Sequence, residues 1–97
     1  MSYQTISVED ARQLLQAESV TVLDIRDAQS FSASHIDNAL HAEAIDVDKF
    51  IAEADKDKPL LVYCFHGISS QSAAQFLSDS GFTRVFSMDG GYAAWAE

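Results

Sequence analysis

The chain reads as an α/β protein built on a five-stranded parallel sheet with helices over both faces. Three observations point there. Aliphatic and β-branched runs at residues 20–25, 59–63 and 84–88 have the near-continuous apolar character of strands buried on both sides. Segments with apolar residues at helical spacing fall between these runs, so strands and helices alternate, and parallel neighbours joined in this way require right-handed crossovers. The runs turn polar or glycine-containing at their C-terminal ends, where such sheets bind ligands, so Asp24 to Asp27, Cys64 to Ser70 and Met88 to Gly91 are expected to converge on one rim.

Taken in order, Thr5-Ile6 predicts a short edge strand, and Ser7-Val8-Glu9-Asp10 matches a capping-box start for a helix whose apolar face is Val8, Ala11, Leu14 and Leu15. Val20-Thr21-Val22-Leu23-Asp24-Ile25 is the second strand, ending at Arg26-Asp27, and Asp27 can cap a short helix over residues 28–33. A small strand is expected at Ala39-Leu40-His41. Behind a cap at Asp46, Val47, Phe50, Ile51 and Ala54 recur at helical spacing, and Asp55-Lys56-Asp57-Lys58 is a charged surface turn. Pro59-Leu60-Leu61-Val62-Tyr63 is the central strand, and the Ala, Phe and Leu pattern after it predicts a helix stopped by Ser80-Gly81. Arg84-Val85-Phe86-Ser87-Met88 is the fifth strand, after which Asp89-Gly90-Gly91 turns sharply and Tyr92 to Trp95 begin a last helix.

Length and composition bound the function. A chain of 97 residues with 47% apolar and 22% charged residues supports one core, so residues 1–97 are expected to form a single domain. One cysteine excludes an intrachain disulfide framework and agrees with a reducing compartment. Glu9, Asp10 and Arg12 interrupt what would have to be a signal peptide's apolar core, and no run approaches the ~20 apolar residues of a membrane span. A soluble cytoplasmic protein is therefore expected. The net charge of −9 with six scattered basic residues argues against a nucleic-acid partner. Three histidines and one cysteine without ligand spacing predict no zinc site.

The chemistry concentrates at Cys64, between the central strand and its helix. Backbone N–H groups of such a turn point inwards and the helix N-terminus is aimed at the loop, so the site is electropositive without a basic side chain. A thiol there is pushed towards thiolate and becomes a candidate nucleophile. Gly67 lets the loop curl around a central atom, and Ser69 and Ser70 add hydroxyls at the helix start. The alternative for a lone cysteine is a small buried hydrophobe. His66 could orient an anion, shuttle a proton or cap the loop; His35 is expected to satisfy a hydrogen bond in the turn after the second strand. Asp24 and Arg26 are rim candidates that could steer substrate or form a structural ion pair, and Phe31 and Trp95 are assigned to packing.

These residues resemble the rhodanese family over nearly the whole chain. Val22-Leu23-Asp24-Ile25-Arg26-Asp27 with Phe31, then His35-Ile36 and Ala39, resembles its first signature; Cys64-Phe65-His66-Gly67-Ile68-Ser69-Ser70 resembles its active-site loop; and Met88-Asp89-Gly90-Gly91 with Trp95 resembles its C-terminal signature. The likeness is strongest to the family's small single-domain thiosulfate sulfurtransferases. It implies a three-layer α/β/α fold with sheet order 1-5-4-2-3 and a persulfide mechanism. Cys64 would take the outer sulfur of thiosulfate, release sulfite, and pass the sulfur to cyanide or a thiol, for example a thioredoxin-like dithiol. Phe65, His66, Gly67, Ile68, Ser69 and Ser70 would bind the substrate and the persulfide, with no metal or organic cofactor.

Two departures from the family pattern carry expectations. Many rhodanese loops have an arginine where this chain has Ser69, so modest thiosulfate affinity is expected, with a thiol-bearing protein as a better partner. Members usually continue past the tryptophan with a further helix, so an end at Glu97 suggests a minimal or trimmed domain. The competing enzyme class, a cysteine-based phosphatase or arsenate reductase, needs a loop one residue longer with an arginine at its end, where this chain has Ser70. A catalytically silent docking domain is the remaining alternative, weakened by the presence of the cysteine.

Overall fold

The computed structural model describes residues 3–97. Its elements are β1 (Gln4–Ile6), α1 (Val8–Ala17), β2 (Thr21–Asp24), α2 (Ala28–Ala33), β3 (Leu40–His41), α3 (Val47–Glu53), β4 (Leu60–Tyr63), α4 (Ser69–Asp79), β5 (Val85–Met88) and α5 (Gly91–Trp95). All strand pairs are parallel, in the order β1-β5-β4-β2-β3, as the family resemblance implied.

β4 lies at the centre because it has no polar face to show to water. Leu60, Leu61, Val62 and Tyr63 are all fully buried, and burying each of the three aliphatic side chains is worth roughly 1.5–3 kcal/mol. The strand alternation sends them to two separate cores. Leu61 and Tyr63 join Ala11, Val22, Ile36 and Met88 under α1 and α5, with Phe31 and Trp95 packed against them. Leu60 and Val62 join Leu23, Ala74, Leu77, Phe82 and Val85 on the α3 and α4 side, with Phe50 and Ile51 alongside.

Helix ends follow their side chains. Ser7 Oγ accepts from the Asp10 N–H at 3.0 Å, and Asp46 Oδ1 accepts from the Lys49 N–H at 3.1 Å, each satisfying an amide the helix leaves open. Asp27 stands at the cap position of α2 with extended backbone and no close side-chain cap bond; its carboxylate is held below its usual range by the Ser30 hydroxyl and N–H, and its carbonyl takes the first helical bond, from Phe31 N–H. α4 ends at Ser80, and Phe82 N–H closes back on Leu77 O across Gly81.

The expected boundaries shift for local reasons. β1 starts at Gln4. β2 ends at Asp24 because the chain folds back there, with the Arg26 N–H bonded to Asp24 Oδ1. Ala39 belongs to the turn before β3, its N–H held by Ile36 O. Arg84 precedes β5, and its side chain pairs with Glu18 on the surface. Phe76 is 55% exposed, so the buried face of α4 is made by Ala74 and Leu77 without it.

The register brings the strand C-termini level. Asp24 pairs with Tyr63 and with His41, Val62 with Ser87, and Ile6 with Met88. The segments after β2, β4 and β5 therefore leave the sheet at one rim, as expected from the topology.

Candidate functional site

Cys64 is the first residue beyond β4, 7% exposed, and the six residues after it curl over its sulfur. Gly67 N–H donates to Sγ at 3.1 Å and Ser70 N–H at 3.3 Å. The Ser70 hydroxyl lies 3.4 Å from the sulfur and 2.7 Å from the hydroxyl of Ser87. Burial pushes the thiol up, but the Ser70 hydroxyl and the N–H groups of Ser70, Gly67 and His66 outweigh it, and the thiol is held below its ordinary value.

The sulfur also completes the helix behind it. The cap position of α4 is Ile68, which offers no acceptor side chain, and the first turn contains no acidic residue. One of the N–H groups that a cap would satisfy, that of Ser70, is taken by Cys64 Sγ. A thiolate at this point sits at the positive end of an 11-residue helix and is stabilised by its aligned peptide dipoles.

Neighbouring backbone fixes the loop. Gly67 has φ of +86°, and a Cβ there would lie 2.7 Å from Gly90 N and 2.9 Å from Met88 O, so only glycine fits. The first turn of α5 grips the loop from the other side, with Tyr92 N–H on Cys64 O at 2.9 Å and Ala93 N–H on Phe65 O at 3.0 Å. Gln71 Nε2 donates to Gly67 O at 2.9 Å, and Tyr3 Oη donates to Gln71 Oε1 at 3.1 Å. The residue just before β1 is thereby tied to the loop.

The loop residues singled out in the sequence divide into two groups. Gly67 and Ser70 hold the sulfur, with His66 contributing its N–H. Among the described residues, Phe65, Ile68 and Ser69 make no hydrogen bond to it. Phe65 and Ile68 are 53% and 74% exposed and form an apolar lip beside the loop. The amides that reach the sulfur are therefore those of His66, Gly67 and Ser70. The His66 ring is exposed and packs edge-on against Phe65 with centroids 4.3 Å apart.

Asp24 and Arg26 are held by each other and by the fold. Arg26 Nη2 lies 2.7 Å from Asp24 Oδ2, and Arg26 Nε is 3.1 Å from both carboxylate oxygens. Arg26 Nη2 also donates to Ser34 O at 2.6 Å, and the guanidinium lies 4.2 Å from the centroid of the Tyr92 ring. Asp24 is fully buried and Arg26 nearly so. Burial pushes Asp24 up, but bonds from Arg26 override it, and the carboxylate is held below its usual range. Of the two alternatives for these residues, the geometry is that of a structural ion pair that locks β2 to α2 and α5.

His35 bonds Phe31 O through Nδ1 at 2.7 Å, and Phe31 stacks between His35 and His41. Trp95 packs under the Arg12 guanidinium, 3.9 Å from the ring centroid. A cleft of about 650 Å³ lined by Arg12, Leu15, Val22, Ile36 and Trp95 lies on this side and contains no residue of the Cys64 loop. Sequence reasoning missed Ser87. The available signal was a lone hydroxyl inside the apolar run Val85-Phe86-Ser87-Met88, 1% exposed in the structure.

Comparison with known proteins agrees with this geometry. The model of the rhodanese-like domain matches residues 7–97. A thiosulfate sulfurtransferase GlpE of Shewanella oneidensis is 48% identical over 96 residues, covering 99% of this chain and 95% of that protein. A thiosulfate sulfurtransferase GlpE of Coxiella burnetii is 44% identical, covering 98% of this chain and 89% of that one. The solution structure of the rhodanese-like domain of an Anabaena protein superposes with a TM-score of 0.82 at 27% identity, over 99% of this chain and 74% of that one. With the sheet order, the cysteine loop and the sequence match in agreement, the chain belongs to the rhodanese-like domain family.

Proposed function

We propose that this protein is a thiosulfate sulfurtransferase in which Cys64 is the nucleophile and the chain works as one catalytic unit. The Cys64 thiolate attacks the outer sulfur of thiosulfate. The bond between the two thiosulfate sulfurs breaks, sulfite leaves with its electron pair, and Cys64 carries a persulfide. Cyanide or a thiolate then attacks the terminal sulfur, giving thiocyanate or an acceptor persulfide and returning the Cys64 thiolate. The relatives named as thiosulfate sulfurtransferases support this reading. The observation that carries it is a nearly buried sulfur receiving two backbone N–H groups at a helix start.

Those donors do for sulfur what an oxyanion hole does for oxygen. They stabilise the attacking thiolate, and the same loop is the docking place for the departing sulfite and the terminal persulfide sulfur. The apolar lip of Phe65 and Ile68 suits a protein acceptor such as a thioredoxin-like dithiol, and a reducing cytoplasm would supply such thiols. A phosphatase reading lacks its essential group, because the loop ends in Ser70 and the nearby guanidinium of Arg26 is already bonded to Asp24.

Mass spectrometry after treatment with thiosulfate tests the reading. A one-sulfur adduct on Cys64 that a thiol removes, and that is absent in Cys64→Ser, is the expected result. A bare thiol after treatment would leave a docking domain. Turnover of an aryl phosphate lost in Cys64→Ser would instead restore the phosphatase.

A further inference from the structure

We propose that Ser87, on β5 and outside the cysteine loop, is a positioning residue that sets the direction of the Ser70 hydroxyl and thereby the charge state in which the Cys64 sulfur is held. The three groups form a line through the protein interior. Ser87 Oγ lies 2.7 Å from Ser70 Oγ, and Ser70 Oγ lies 3.4 Å from Cys64 Sγ. Ser87 is 1% exposed, Ser70 0% and Cys64 7%, so the hydroxyls have each other and the sulfur to bond.

Strand register explains the arrangement. Ser87 pairs with Val62 on the neighbouring strand and shares the parity of Val85, which packs with Ala74 and Leu77 of α4. Its hydroxyl therefore points at the start of α4, where Ser70 stands. An aliphatic residue would satisfy the core at this position, and the hydroxyl is the feature that packing leaves unexplained.

Each hydroxyl has one proton, so the chain has two directions. When the sulfur is a thiolate, Ser70 donates to it and its oxygen is left to accept from Ser87. When the sulfur carries a proton, the thiol donates to Ser70 and Ser70 donates to Ser87. Switching needs only rotation of two O–H bonds, with no proton passed along the line. In the first direction both dipoles point at the negative sulfur and reinforce one another. Without the Ser87 hydroxyl Ser70 loses a buried partner in either direction, but only the thiolate also loses a second O–H dipole aligned on a full negative charge, and this difference disfavours the thiolate.

Other titratable groups around the loop are His66 on the loop itself, Tyr63 at the end of β4, Asp89 in the β5–α5 turn, Tyr92 on α5, and Asp24 at the end of β2 with Arg26 just after it. α4 brings none before Asp79, and β5 brings none. None of these is altered by a change at Ser87, so an effect on the thiol is read through Ser70.

The inference rests on the sulfurtransferase reading only for its effect on turnover. Ser87→Thr and Ser87→Val are nearly isosteric and differ in the hydroxyl. Alkylation of the protein with iodoacetamide across pH reports the thiol directly, since Cys64 is the sole cysteine. Ser87→Thr is expected to titrate like the parent protein, and Ser87→Val to titrate higher, with about three- to tenfold less thiolate at neutral pH. Single-turnover sulfite release from thiosulfate should fall by the same factor in Ser87→Val at neutral pH and recover at alkaline pH. Equal titration of the Thr and Val variants, or a loss of rate that is the same at every pH, overturns the proposal. Ser87→Ala adds no atoms and carries the same test if the larger variants do not fold: a thiol unmoved from the parent value refutes it. Should the parent protein alkylate readily yet release no sulfite, the sulfurtransferase reading fails while the comparison of titrations still decides the role of Ser87.

Discussion

Replacing Gly67 by alanine should damage stability and chemistry together, and the structure gives the size of both. The residue has φ of +86°, a conformation that costs an L-residue about 1–2 kcal/mol. Its new Cβ would lie 2.7 Å from Gly90 N, 2.9 Å from Met88 O and 3.2 Å from Gly91 N. These are backbone atoms, so no side chain can rotate away, and overpacking of this kind adds about 1–3 kcal/mol. For a domain of this size the sum lowers the melting temperature by roughly 10–30 °C. The loop can relax only by withdrawing from the β5–α5 turn, which moves the Gly67 N–H off the sulfur. Loss of one donor to developing charge is worth roughly a hundredfold in rate.

Gly81→Ala is the control for this argument. Its φ is +109°, but the added Cβ meets only the flexible Lys56 side chain, at 3.6 Å, and the position is remote from Cys64. That variant should lose a few degrees in melting temperature and keep its rate. Thermal melts, iodoacetamide alkylation and single-turnover sulfite release on both variants make the comparison. If Gly67→Ala melts no lower than Gly81→Ala and releases sulfite at the parent rate, the tight cradle is not what activates Cys64.

Further outcomes follow from charge. Asp24→Asn breaks a pair that is almost fully buried and should cost about 3–5 kcal/mol, whereas Glu18→Gln, in the exposed pair with Arg84, should leave the melt nearly unchanged. The folded Asp24 carboxyl is held below its ordinary value, so its stabilisation is complete above the unfolded value of ~3.9 and is lost as pH falls towards the folded one; urea melts should show that acid loss in the parent and its removal in Asp24→Asn. Ser69→Arg places a cation beside the loop of a protein of net charge −9 and should lower KM for thiosulfate by roughly tenfold, about 1.4 kcal/mol. Raising ionic strength should then increase kcat/KM of the parent and decrease that of the variant, and a parent rate that falls with salt would contradict the repulsion argument.

Much of the architecture was legible in the chain because parallel sheets leave strong signals. A strand buried on both faces must be apolar at every position, and Leu60 to Tyr63 are. Ser7 and Asp46 announced helix starts because a cap is a local bond between residues three apart. Boundaries were less legible at Asp24 and Ala39, where a side chain or turn takes the backbone group that the ladder would have used. Phe76 looked like core by its type, and only the orientation of α4 against the sheet shows that it points outwards.

At the site, sequence alone determined that a single thiol stands between a buried strand and a helix, with a glycine to let the loop curl and serines to start the helix. Tertiary structure decided which amides reach that thiol, that Arg26 is committed to Asp24, and that Ser87 stands behind Ser70. The reason is the range of the interactions. Strand, loop and cap are set by neighbours a few residues apart, whereas Ser70 and Ser87 are 17 positions apart and meet only because β5 is laid beside β4 in one register. No local pattern encodes that register; it is fixed by the packing of the helices over the two faces of the sheet.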